Sequence, residues 1–140
     1  QTLTSEPSFG EYAPPEANCP LFILLTFVAC MAALALELYK NGQGQDPLGP
    51  KNDDCYYRTE VQGYFFCAAS LGRNPLLGPD NKVLIEMGAK EGDAIVNHGD
   101  VWRLVAPLYL HGGVFHCGPN MLVLLQLGWP LERRHGFLKV

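Results

Sequence analysis

Within the stretch WRLVAPLYLHGGVFHCGPN, His116 and Asn120 stand four positions apart. On a helix that spacing projects both side chains from one face. Each can donate hydrogen bonds, the imidazole through a ring N–H and the amide through its NH2. Two donors converging in a dry site are what a developing oxyanion requires, because its charge must be stabilised where water does not reach. His111 and Cys117 are further candidates for the same site. A metal centre drawn from His98, His111, His116 and Cys117 is a competing chemistry, but the spacing fits no common ligand pattern. A third reading needs no chemistry at all: His116 and Asn120 bond to a neighbouring helix inside a bundle. On residue types alone all three stay open, and the bundle contact is the simplest.

The element that must carry the pair is the apolar stretch 115–131, FHCGPNMLVLLQLGWPL. Polar groups inside a membrane helix are costly and mark functional sites, whereas in a soluble protein they are unremarkable. The choice turns on a purer apolar block upstream, 20–39, PLFILLTFVACMAALALELY, which carries no charge from Leu21 to Leu36. Its length approaches the ~20 residues needed to cross a hydrocarbon core of ~30 Å. A buried core helix would be shorter and show a polar stripe. A signal peptide would carry Lys or Arg upstream, where this chain has Glu6, Glu11 and Glu16.

Two crossings therefore organise the chain. A tail occupies 1–19, a first transmembrane helix 20–39, a long extracytoplasmic loop 40–114, a second transmembrane helix 115–131, and the start of a cytoplasmic loop 132–140. Arg133 and Arg134 after the second block place that end in the cytoplasm by the positive-inside tendency. The fold class expected is an all-α membrane protein, a helical bundle of which only the first two crossings and the loop are present. Both ends read as cut from something longer, since there is no initiator Met and Leu138–Val140 follow a helical run with no closing segment.

The loop opens on NGQGQDPLGPKNDD, a flexible linker by composition. Val83–Met87 suggests a short helix stopped by Gly88. Trp102–Leu110, interrupted by Arg103 and Pro107, is too short to span and fits a piece lying in the membrane interface, with Trp102 and Tyr109 as interfacial aromatics. Of the five cysteines, Cys30 reads as a small buried hydrophobe. Cys55 and Cys67 fall in the loop placed outside, where oxidation is permitted, and a disulfide between them is a hypothesis. There is no CxxC pair to support a zinc ribbon. The net charge of -4, with no basic face, argues against a nucleic-acid partner.

The stretch from Asn74 to Phe137 resembles the rhomboid family, and most of all its eukaryotic secretase-type members. The resemblance rests on NPLLGP, the GA pair Gly88–Ala89, the WR pair Trp102–Arg103, the LHGG turn and the HxxxN of His116 to Asn120. It continues through Leu127–Gly128, Leu131–Glu132 and Gly136–Phe137, all in order. It implies an intramembrane serine endopeptidase that cleaves transmembrane segments with a Ser–His dyad, in contact with the lipid bilayer and with no cofactor. The family places its serine in a GxSG motif on the fourth helix and its histidine on the sixth. This chain has no GxSG, and Ser5, Ser8 and Ser70 lie in the wrong setting, so the chain alone is expected to be inactive.

What the resemblance implies for this chain is oxyanion stabilisation by His116 and Asn120. Trp102 and Arg103 match a loop pair that supports fold and gating. His111 matches a histidine near the mouth of the site, and Glu132 a structural carboxylate at a helix end. Gly118–Pro119, between the two donors, departs from the family pattern, and a bend there would spoil their convergence. Two alternatives belong to other classes. One is a rhomboid pseudoprotease that binds or traffics membrane clients, although keeping both His116 and Asn120 leans away from it. The other is a two-helix membrane protein with no enzymatic role. The secretory pathway or plasma membrane is expected over the mitochondrion.

Overall fold

The computed structural model describes residues 18–43 and 55–137. The tail over 1–17, most of the Gly- and Pro-rich opening of the loop and residues 138–140 lie outside the described residues.

Helix α1 spans Leu21–Gln43 and is, among the described residues, the one helix long and apolar enough to cross a membrane. It outruns the apolar block because its last turn finds polar partners. The Asn41 side chain donates to the Cys67 carbonyl (3.0 Å) and accepts from the Asp80 N–H (3.0 Å). Leu21, Leu24, Leu25, Val28 and Leu36 remain exposed, a surface suited to lipid rather than water.

The chain is not all-α. Strands β1 (Cys55–Val61) and β2 (Tyr64–Ala69) form an antiparallel hairpin that packs on α1. The physical reason lies in the residues themselves. CYYRTEV and YFFCAA are rich in aromatic and β-branched side chains, which favour strands. Gln62 and Gly63 between them both take positive φ, 52° and 81°, as a two-residue hairpin turn of matching twist requires. Cys55 and Cys67 are joined in a disulfide across this hairpin, with Cα atoms 5.6 Å apart. Closing a loop of sequence separation 12 restricts the unfolded chain by about 3 kcal/mol in the chain-entropy account. Reduction is therefore expected to raise the rate of proteolytic nicking in the hairpin several-fold. Equal rates with and without reductant would show that the bond adds nothing.

Short helices α2 (Asn81–Glu86) and α3 (Gly92–Asn97) follow. Asp80 caps α2, its carboxylate accepting the Lys82 N–H at 3.0 Å. Gly88, at φ +109°, ends the turn after it, where the Trp102 ring leaves no space for a Cβ. The segment expected to lie in the interface is a pair of 3-10 turns, Val101–Leu104 and Ala106–Leu108.

Helix α4 (Val114–Val123) passes through a π turn (Leu124–Gly128) into α5 (Trp129–His135), and the backbone stays helical at both junctions. This run is longer at each end than the block 115–131. Pro119 lies within α4 without ending it. Cys30 and Leu34 of α1 meet Cys117 and Met121 of α4, with Phe27, Leu38 and Leu124 around them. Farther along the same seam Gly128 lies against the Ile23 side chain. The seam is thus built at small or flexible side chains, which let two helices approach closely.

Candidate functional site

The first turn of α4 is set by the segment NPLLGP. Helix N-termini leave N–H groups without intrahelical partners. Here the Val114 and Phe115 N–H groups donate to the Leu77 and Leu76 carbonyls at 3.2 and 3.1 Å. Asn74 holds that segment in shape. Its amide NH2 donates to the carbonyls of Pro79 (2.8 Å) and Gly112 (2.7 Å), and its oxygen accepts the Leu76 N–H (2.9 Å). One buried amide thus ties NPLLGP to the LHGG turn that launches α4.

His111 lies in that turn and is buried, 4% exposed. Its Nδ1 is 2.9 Å from the Tyr109 carbonyl. The carbonyl can only accept, so Nδ1 is the donor in this bond. The His111 and His116 rings sit with centroids 5.6 Å apart. His116 Nδ1 accepts from the Gly112 N–H over a long 3.4 Å. An accepting Nδ1 leaves the ring proton on Nε2, where it is available to donate. His116 and Asn120 each stand one residue before a residue packed on α1, Cys117 and Met121, and so lie about 100° round the helix from that seam. Both are exposed, and the Asn120 amide has no hydrogen-bond partner among the described residues. The geometry offers two donors on one helical face turned away from α1.

Trp102 and Arg103 do not touch that face. Arg103 Nη1 donates to the Ile85 (2.6 Å) and Ala89 (3.2 Å) carbonyls, its Nε donates to Asp100 (3.0 Å), and its guanidinium lies 4.9 Å from the Trp102 ring. It closes the C-terminal end of α2 and braces the loop. Arg103→Ala is expected to destabilise the loop by about 2 kcal/mol, the scale for losing charge-assisted bonds to part-buried carbonyls. Hydrogen exchange at Met87–Ala89 should rise in that variant, and unchanged exchange would remove Arg103 as the brace.

Glu132 is fully buried, and its two oxygens accept the Phe22 (2.9 Å) and Ile23 (2.8 Å) N–H groups. It caps the start of α1 from α5. His98 is exposed and pairs with Asp93 at 3.5 Å, far in role from the other histidines. Cys117 faces α1 rather than the donors. Among the described residues no three His, Cys, Asp or Glu come together to hold a metal.

Three residues that shape the site escaped the sequence reading: Asn41, Asn74 and Glu37. Glu37 is fully buried in α1, with one carboxylate oxygen accepting the His111 N–H at 3.0 Å. A lone carboxylate in an apolar run was the available signal, since intramembrane ionisable groups are functional hypotheses by default.

A family model, the Rhomboid domain, matches residues 98–140. RHOMBOID-like protein 1 of Arabidopsis thaliana is 35% identical over 133 residues, covering 95% of this chain and 32% of that protein. Rhomboid-like protease 2 of Toxoplasma gondii is 34% identical over 70 residues, 50% of this chain and 24% of that protein. Inactive RHOMBOID-like protein 8 of Arabidopsis thaliana is 33% identical over 75 residues, 54% of this chain and 21% of that protein. The chain spans about a third of the length of the first of these curated relatives. No solved structure matches it.

Proposed function

We propose, from the premise that this chain belongs to the rhomboid family, that it is the front part of an intramembrane serine endopeptidase cleaving transmembrane segments. The observation that carries the reading is the exposed HxxxN face of α4, with His116 Nδ1 3.4 Å from the Gly112 N and Asn120 one turn along. In this reading the two side chains hold the oxyanion formed when a serine from elsewhere in the full-length protein attacks the scissile carbonyl. That serine passes its proton to a histidine that is also outside this chain.

The membrane arrangement follows from the same residues. The run α1 makes one crossing and α4–α5 the other. The Asn18 N–H donates to the Arg133 carbonyl at 3.1 Å, so the start of α1 and the end of α5 share one side. Arg133 and Arg134 assign that side to the cytoplasm. The hairpin with its disulfide then faces an oxidising compartment, which favours the secretory pathway or plasma membrane.

A second reading has its own support: similarity to an inactive rhomboid-like protein (33%) is nearly as high as to a protease (34%). In that reading the full-length protein binds membrane clients without cutting them. Reconstitution of the full-length protein in liposomes with a single-span substrate separates the two. Cleavage within or beside the span is expected, and none from the 140-residue chain alone. Stable capture of the uncut substrate would establish the second reading instead.

A further inference from the structure

Glu37 is buried at the seam between α1 and the turn that begins α4. One carboxylate oxygen accepts the His111 N–H, while Oε2 is buried with no hydrogen-bond partner among the described residues. Leaving a polar atom in that state is destabilising, and a leucine or methionine here would avoid it. A carboxylate kept at such a cost calls for a role that packing alone does not supply.

The geometry supplies one. The carboxylate anchors the peptide N–H of His111. The next peptide N–H, that of Gly112, reaches His116 Nδ1 at 3.4 Å. The carbonyl of Gly112 is fixed from the other side by Asn74 at 2.7 Å. The turn is therefore pinned at two successive residues, and the amide between the pins is the one that meets His116 Nδ1.

We propose that Glu37 is a positioning residue for His116, acting from the first helix through the His111–Gly112 turn. It touches neither substrate nor reacting atoms. It holds the Gly112 amide where His116 Nδ1 must accept, which keeps the Nε2 proton directed at the oxyanion. This rests on the reading of His116 as an oxyanion donor.

The test uses the full-length protein with a single-span substrate in detergent or liposomes. Glu37→Met removes the acceptor at similar length and is expected to lower kcat about 10- to 100-fold with KM within about twofold. Glu37→Gln still offers an oxygen to the His111 N–H and is expected within about threefold of wild type. A residue that merely stabilised the fold would lower the active fraction in both variants and leave the kcat of the folded fraction unchanged. If Glu37 acts through His116, adding Glu37→Met to His116→Ala costs little more than His116→Ala alone.

The failures are distinguishable. If His116→Ala leaves kcat unchanged, the oxyanion reading falls and Glu37 falls with it. If His116→Ala slows the enzyme but Glu37→Met multiplies that loss in full, the oxyanion reading stands and this inference is overturned. Should Glu37→Met not fold, Glu37→Asp asks the same question by shortening the reach by one methylene. A kcat loss of about fivefold or more is then expected, and an unchanged kcat overturns the proposal.

Discussion

Replacing Asn120 by alanine in the full-length protein is expected to lower turnover by roughly one to three orders of magnitude, the range for losing one oxyanion donor. The substitution sits on the exposed face of α4 and removes no contact to α1, so the fold should be little affected. The loss should appear in kcat and kcat/KM together, the signature of an interaction made only in the transition state. His116→Ala should fall in the same range. If both side chains serve one oxyanion, as proposed, the double variant should be less impaired than the product of the two single losses. The measurement is steady-state cleavage of a single-span substrate at several concentrations. Unchanged kcat in both variants would remove the pair from the mechanism.

Glu132→Ala is expected to give the largest loss of stability, about 2–5 kcal/mol, the scale for leaving two N–H groups without their acceptor. Its carboxylate is fully buried and accepts two main-chain N–H groups at the start of α1. Those groups have no intrahelical acceptor, and the positive end of the helix dipole favours a carboxylate there. Truncation would leave the two N–H donors without that acceptor. It would also cut a polar link between α1 and α5. Glu132→Gln keeps one acceptor oxygen and should cost about 1–2 kcal/mol. Thermal unfolding in detergent would order the three proteins wild type, Gln, Ala. A melting point for the Ala variant equal to wild type would show that the cap contributes nothing.

The legible parts of this chain were those whose cause is local. The apolar run of α1, the stop at Gly88 and the i, i+4 pair His116–Asn120 all follow from neighbouring residues. The hairpin was missed by the all-α expectation, although its cause is local too, in the aromatic strands and the Gln62–Gly63 turn. The π turn at Leu124–Gly128 has no comparable signal in LLQLG. The residues that escaped act at a distance. Glu37 bonds a residue 74 positions away, and Asn74 one 38 positions away. Nothing around either residue announces such a partner. Pro119 does not end the helix: α4 carries His116 and Asn120 on either side of it.

The most direct test of the central claim is covalent labelling of the full-length protein in its native membrane with a fluorophosphonate, which reacts with an activated serine. The result expected is one labelled serine located outside residues 1–140, with labelling weakened by Asn120→Ala because the adduct forms through the same oxyanion. No labelled serine in protein shown to be folded would contradict an endopeptidase, and a label on Ser5, Ser8 or Ser70 would contradict the assignment of this chain to the oxyanion half of the site.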